Sequence, residues 1–287
     1  MNNKTRISFI GAGRVGTSFG KYLSNSGFKV IGYYSKSQSS AYESAEFIGS
    51  GCTAFDNIKD LVALSDIVFI TTNDDSIKAV CTELCCLDKE VLNGKVFCHT
   101  SGSLSSEILK PLQAFGCKTA SLHMLLAVSD KFKSYSDFEK AFFTLEGNGS
   151  NKILEVIQVC GNECRVIESQ YKAKYHAAAV FVSNFVVALS HIGCTLLTEC
   201  GFSYNDAVSA LSPLIELNVQ NIISKGPQNA LTGPIERGDF ETVKKHLGCF
   251  SDTETDAVAK DVYKSLSKAL IWQTGNIPDI ETHNKLK

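Results

Sequence analysis

Ile7-Ser8-Phe9-Ile10-Gly11-Ala12-Gly13-Arg14-Val15-Gly16 decides the fold of this chain. An apolar strand runs directly into G-x-G-x-x-G. A helix follows to about residue 26, where Gly27 stops it, and Lys29–Tyr34 reads as a second strand. In such a unit Gly11 allows the tight turn, Gly13 lets a pyrophosphate approach the backbone, and Gly16 lets helix and strand pack closely. The free N–H groups and the positive dipole end of the helix face the phosphates. The six residues Gly11, Ala12, Gly13, Arg14, Val15 and Gly16 are therefore read as a dinucleotide-binding turn. The rival is a glycine-rich turn of another α/β protein.

The end of the second strand points to the kind of dinucleotide. NAD-binding units of this type carry an Asp or Glu there for the ribose hydroxyls. This chain has Ser35, Lys36 and Ser37. A cation between two hydroxyls suits the extra phosphate of NADP through charge-assisted hydrogen bonds, so NADP is favoured over NAD. A solvated polar loop is the plain alternative.

Outward from this unit the pattern repeats. Short apolar runs at residues 52–55, 66–72, 95–99, 117–123, 141–145 and 165–167 read as strands, with helices between most of them. Alternation of this kind implies a mostly parallel, doubly wound sheet with right-handed crossovers. Ligands of such sheets bind at the carboxyl ends of the strands. That edge would gather Gly11, Thr71, Thr72, Thr100, Ser101 and His123. Near Glu168 the strand signals stop. Helices are expected at about 170–200, 203–224, 240–247 and 253–272, with a frayed polar tail from Asn276. The organisation expected is an α/β domain over 1–167 and an all-α domain over 168–287.

Composition bounds the function. The chain has 287 residues, 44% hydrophobic and 20% charged, with net charge -2. Nothing in that balance calls for nucleic acid or an anionic membrane. The apolar run at 177–197 is long enough to raise a transmembrane question, but it contains Ser183, Asn184, Ser190 and His191, and a buried or dimer-core helix is expected instead. The eleven cysteines are irregularly spaced and accompany no secretory run at the N-terminus. Reduced thiols in a cytoplasmic protein fit that usage. No paired C-x-x-C or Cys/His spacing suggests a metal.

Several stretches together resemble a known family. They are the glycine turn, His99-Thr100-Ser101-Gly102, Ser121-Leu122-His123, Lys172 with Tyr175-His176-Ala177-Ala178-Ala179-Val180, Ser183-Asn184, and Thr232-Gly233-Pro234-Ile235-Glu236-Arg237-Gly238-Asp239. The chain resembles, over nearly its whole length, the bacterial Rossmann-like proteins provisionally labelled NADP oxidoreductases, which carry a C-terminal helical domain of unknown function. These are similar to pyrroline-5-carboxylate reductase and to the 6-phosphogluconate dehydrogenase-like superfamily. The resemblance implies a Rossmann domain, a helical domain that commonly dimerises, and an active cleft between them. It implies no substrate. It departs after His123, where the family usually continues Pro-Leu-Gln and this chain reads Met124-Leu125-Leu126. That loop is expected to face the cleft.

Candidate chemistry follows. Lys172 and His176 are four apart on one helix, and Ser183 lies near the same face with Asn184 at its edge. Polar groups on an apolar helix are costly unless they face a cleft or find partners. By the superfamily's pattern Lys172 would polarise or protonate a substrate carbonyl, and His176 would orient it or share the proton. A surface lysine and a hydrogen-bonded interface histidine are the plain readings. His123 is a third acid/base candidate, since imidazole titrates near neutrality; a strand-capping histidine is its rival. Thr100 and Ser101 are candidates for the nicotinamide ribose or carboxamide. Arg237 could clamp a substrate carboxylate or phosphate, while Asp239 could simply cap the next helix. The first reading is a dimeric, cytoplasmic NADP-dependent oxidoreductase acting on a small polar carbonyl, imine or hydroxy compound. The second is a non-catalytic nucleotide-binding sensor or partner protein, motivated by the altered loop after His123. A methyltransferase is a weaker third.

Overall fold

The computed structural model describes residues 5–49 and 51–287; the reading of residues 1–4 as free of a secretory run lies outside them. Two compact units emerge, Met1–Ser183 and Asn184–Lys287. The division falls later than the change of texture at Glu168, so the helix carrying Lys172 and His176 counts with the sheet.

Eight strands form one sheet in the order β3-β2-β1-β4-β5-β6-β7-β8. They are β1 (Arg6–Ile10), β2 (Lys29–Tyr34), β3 (Thr53–Ala54), β4 (Ile67–Ile70), β5 (Val96–His99), β6 (Lys118–Leu125), β7 (Phe142–Glu146) and β8 (Cys164–Val166). The helices between them are α1 (Arg14–Asn25), α2 (Gln38–Ile48), α3 (Ile58–Ala63), α4 (Asp74–Leu84), the short α5 (Lys89–Leu92) and α6 (Ser150–Cys160). All pairings are parallel except β6 with β7.

Successive side chains of a strand face opposite sides of the sheet, and a central parallel strand must be apolar on both. The central strands obey this. Ile7 and Phe9 of β1, Ile67 and Phe69 of β4, and Val96 and Cys98 of β5 join one core with α1, α2 and α6. Ile10, Val68, Ile70 and Phe97 join the other, with α3 and α4. The first core is aromatic: Phe9 stacks on Tyr33 and Phe69, and Phe19 on Phe138.

The structure corrects several sequence expectations. The helix expected between the strands at 95–99 and 117–123 is a 3-10 helix, Ser106–Phe115, with Pro111 inside it. Proline lacks an N–H and disfavours continuous α-helix. The residues after His123 are not a loop: β6 continues to Leu125, and Met124 is buried in the core. The C-terminal tail is ordered as a short helix at 280–286, capped by Asp279 and seated by buried Thr282 and Leu286.

After β8 a 3-10 turn, Ser169–Tyr171, leads into α7 (Lys172–Val182). The single long helix expected over 170–200 is thus broken. Ser183, at φ -124 and ψ -82, ends α7. The helical unit begins with α8 (Asn184–Glu199) and continues through α9 (Tyr204–Lys225), α10 (Pro227–Ala230), α11 (Phe240–Cys249), α12 (Glu254–Thr274) and α13 (Ile280–Leu286). Its buried cluster is small, formed by Ile235, Val243, Leu247 and Leu286. The segment Ser169–Glu199 is long and apolar enough, by length and composition, to cross a membrane. Its start, however, is held to the sheet by Lys172.

Candidate functional site

The glycine turn lies at the carboxyl end of β1. Gly11 has φ +107, and a Cβ on it would stand 2.8 Å from the Thr71 carbonyl carbon and 2.9 Å from the Thr72 nitrogen. Only glycine accepts both that φ and that crowding. A Cβ on Gly16 would overlap the Gly11 carbonyl oxygen and Thr71 Oγ1. Thr71 locks the turn, its hydroxyl donating to the Gly11 carbonyl over 2.8 Å. Ala12 is buried, whereas Gly13 and Arg14 are exposed at the start of α1 with Val15 half-buried. A Cβ on Gly13 would meet nothing within 4 Å. The backbone there is open to a ligand, as a pyrophosphate requires.

Ser35, Lys36 and Ser37 follow β2. Lys36 is exposed. Ser37 caps α2, its Oγ accepting from the Ser40 N–H, and hydrogen-bonds the hydroxyls of Ser39 and Ser40 at 3.0 Å. Along the same edge, Thr72 Oγ1 is buried with no hydrogen-bond partner. An orphaned buried hydroxyl is uncommon and marks where a ligand group would fit. These residues fit a dinucleotide laid along the carboxyl edge: open backbone at Gly13, hydroxyls and a cation after β2, and the Thr72 hydroxyl in between.

The other end of this edge is built from side chains. Thr100 is half-buried and takes up the pairing of β5, its N–H donating to the Ile70 carbonyl. Ser101 Oγ donates to Asp74 Oδ2 at 2.7 Å and accepts from the Leu104 N–H at 3.0 Å. His99 is structural: Nδ1 accepts from the Ser101 N–H and Nε2 donates to the Ser105 carbonyl. Burial holds it down at about 4.

Three groups chosen from sequence meet here. Lys172 is 2% exposed, and its ammonium donates to the Ser101 carbonyl and to Ser121 Oγ, both at 2.8 Å. Burial lowers its pKa to about 8, against the opposing charge of Glu146. His123 Nδ1 lies 2.8 Å from the Tyr175 hydroxyl. Burial pushes His123 down to about 4, helped by the nearby Lys172 and His176 and opposed by Asp74. His176 faces His123 edge-on at 5.6 Å between ring centroids, and its buried Nδ1 has no partner. Gly102 lies between the two rings: a Cβ there would overlap His176 Nδ1 and stand 2.8 Å from His123 Nε2.

The topology explains this convergence. Because β7 runs antiparallel to β6, Glu146 at its end lies beside Ser121, midway along β6 and level with His99 at the end of β5. The chain leaves β8 at that level, and Ser169 donates to Glu146 Oε2 at 2.9 Å. Lys172 then meets Ser121, and one turn later Tyr175 and His176 meet His123. The helix climbs beside β6 toward the carboxyl edge.

Sequence reading missed Glu146, and it quoted Gly102 and Tyr175 within motifs without giving either a role. Glu146 is 2% exposed and accepts from the N–H and hydroxyl of Ser106. A carboxylate closing the buried run Phe142-Phe143-Thr144-Leu145 was a visible signal. Of the remaining substrate-binding candidates, Ser183 closes the first unit, and Asn184 and Arg237 belong to the second. Ser183 ends α7 with its hydroxyl on the Ala179 carbonyl at 2.7 Å, and Asn184 opens α8 in the second unit. Arg237 is exposed in the loop before α11, where Asp239 does cap the helix, accepting from Thr242. Among the described residues no group of three or more His, Cys, Asp or Glu is placed to hold a metal ion.

Comparison with known proteins agrees with this architecture. Residues 1–124 match a Rossmann-like domain and residues 141–270 match a domain of unknown function (DUF2520). The second match begins at residue 141 and so takes in β7 and β8. No protein with a curated function matches the chain in sequence. Among solved structures, a Bacteroides fragilis protein provisionally named an NADP oxidoreductase is 21% identical, with TM-score 0.70, covering 94% of this chain and 99% of that one. An imine reductase from Myxococcus stipitatus in complex with NADP+ is 16% identical, with TM-score 0.62 over 98% of this chain and all of that one. A Plasmodium falciparum pyrroline carboxylate reductase with NADP bound is 14% identical, with TM-score 0.56, covering 94% and 99%. At these identities the likeness is one of fold. The chain thus joins a Rossmann-like domain to a DUF2520 domain, in a fold shared with NADP-dependent reductases.

Proposed function

We propose that this protein is an NADP-dependent oxidoreductase acting on a small polar carbonyl, imine or hydroxy compound. The observation that carries the reading is the layout of the sheet's carboxyl edge. An open glycine turn lies at β1, an unsatisfied Thr72 hydroxyl follows β4, and a histidine pair lies at β6. From β1 to β6 is three strand spacings, about 14 Å, a reach comparable to that from the pyrophosphate to the nicotinamide ring of an extended dinucleotide.

Bound reduced nicotinamide supplies a hydride. The chain's own residues would do the rest. His123, held neutral, offers a hydrogen bond to the reacting oxygen or nitrogen. His176, with its Nδ1 uncommitted, is the group to deliver or take the accompanying proton. Lys172 is spent on Ser101 and Ser121, so it would hold the loop after β5 in place rather than protonate substrate. Met124 being part of β6 weakens the case for a non-catalytic sensor, since the departure after His123 leaves the histidine in register.

The cation between Ser35 and Ser37 supports NADP over NAD. A fluorescence titration with NADPH and NADH on the wild type and on Lys36→Asp tests this. NADPH is expected to bind more tightly, and the variant to lose about tenfold in that preference, roughly 1.4 kcal/mol. Binding of neither nucleotide would sink the reading.

A homodimer through the helical unit belongs to the same proposal. Helix α8 buries only Cys194 and α9 only Ala207 within the single chain. Val187, Leu214, Leu217 and Ile223 are left exposed, and apolar surface on that scale calls for cover. Light scattering is expected to give twice the chain mass, and Val187→Glu with Leu217→Glu to reduce it; a monomeric wild type would refute the dimer. Eleven free cysteines suit the reducing cytoplasm.

A further inference from the structure

Tyr175 immediately precedes His176 on α7, and successive side chains of a helix point about 100° apart. Both nevertheless touch His123. The Tyr175 ring meets it edge-on at 5.5 Å between centroids, and the His176 ring does so at 5.6 Å. His123 therefore sits in the notch between two neighbouring side chains of α7. Its Nδ1 is taken by the Tyr175 hydroxyl, and its Nε2 faces Gly102. A neutral imidazole carries one donor and one acceptor nitrogen, and the partner of one decides the role of the other. A ring nitrogen is a better acceptor than a phenolic oxygen, and a phenolic O–H is a better donor than an imidazole N–H. The O–H to N sense is the favoured one.

We propose that Tyr175 is a positioning residue: its hydroxyl donates to His123 Nδ1 and so fixes the ring proton on Nε2, the nitrogen beside Gly102 and His176. His123 then presents a donor, not a base, to the reacting atom, and proton exchange falls to His176. The tautomer has meaning only while the ring is neutral. Burial and the neighbouring Lys172 and His176 keep it so, with Asp74 the one opposing charge. The catalytic meaning of this assignment rests on the oxidoreductase reading; the tautomer does not.

The test is nuclear magnetic resonance of the full chain labelled with 15N-histidine at pH 7, with His123 assigned by the loss of its signals in His123→Gln. The expected spectrum shows a proton on Nε2 and none on Nδ1. Tyr175→Phe is expected to shift the Nδ1 signal toward a mixture of tautomers. Fluorotyrosine incorporation, which makes the phenol a stronger donor, is expected to shift Nδ1 while the proton stays on Nε2, without removing the ring. A proton on Nδ1 in the wild type, or a spectrum insensitive to fluorination, would overturn the proposal even if Tyr175→Phe failed to fold. Titrating NADPH into the same samples separates the two readings. Binding with the wrong tautomer overturns this inference alone, and the right tautomer without binding overturns the oxidoreductase reading alone.

Discussion

The two ends of the sheet's carboxyl edge are built by opposite means. The end proposed for phosphate is backbone, contained in Gly11 to Gly16 and locked by Thr71. Its rigidity comes from exclusion, since no side chain fits at Gly11 or Gly16. The imidazole end is side chain, assembled from the loop after β5, from β6, from the end of β7 and from α7. Its rigidity comes from buried polar groups that must find partners, foremost Lys172 and Glu146. A site can thus be stiff because nothing else fits or because nothing can be left unpaired, and the two should fail differently.

The sharpest way to break the comparison is Lys172→Met. It keeps the bulk but removes the ammonium from the Ser101 carbonyl and Ser121 Oγ, leaving them their longer mutual hydrogen bond of 3.3 Å, and leaves the buried Glu146 charge without its nearby cation. A cost of about 3 kcal/mol or more is expected, read as a fall in melting temperature of roughly 6–12 °C, with NADPH affinity changing less than stability. A melt within two degrees of wild type would show that the imidazole end is not held by its buried ion. Gly16→Ala is next. Its Cβ would press on backbone at Gly11, and a loss of about 2–3 kcal/mol is expected, here together with loss of NADPH binding. If the variant binds NADPH normally, exclusion is not what shapes the turn.

The third comparison uses acid. His99 and His123 are held near 4, below the unfolded value of 6.5. Their neutral burial stabilises the fold fully above pH 6.5, and that contribution is lost as pH falls toward 4. Between pH 7 and pH 5 each should cost about 2 kcal/mol in urea unfolding. His123→Gln should recover one such share, while Lys36→Asp at the phosphate end should leave the acid limb unchanged. An acid limb that His123→Gln does not alter would show that its imidazole is not held neutral.

The two ends were not equally legible. The glycine turn, β1 and β2 are contiguous, so their residue types and spacing carry the whole message. The imidazole end depends on β7 reversing direction, and nothing in Phe142-Phe143-Thr144-Leu145-Glu146 announces which way the strand runs. His123, Lys172 and His176 could be named from a family pattern, but not the partners that set their roles. Tyr175 was passed over because adjacent helical residues are not expected to share a target. The 3-10 helix over Ser106–Phe115 read as α because Leu109 and Leu112 are three apart, a spacing both helix types bring to one face. The break at Ser183 escaped because Ser183-Asn184 is only a two-residue polar step between apolar runs.

The reversal at β7 also orders events in time. The residues of the glycine turn are all present once Thr72 has left the ribosome, whereas the histidine pair waits for His176, on the order of ten seconds later at ordinary rates of synthesis. During that interval the growing chain carries the glycine turn without the completed histidine pair. Any cofactor captured early would therefore be held without being consumed.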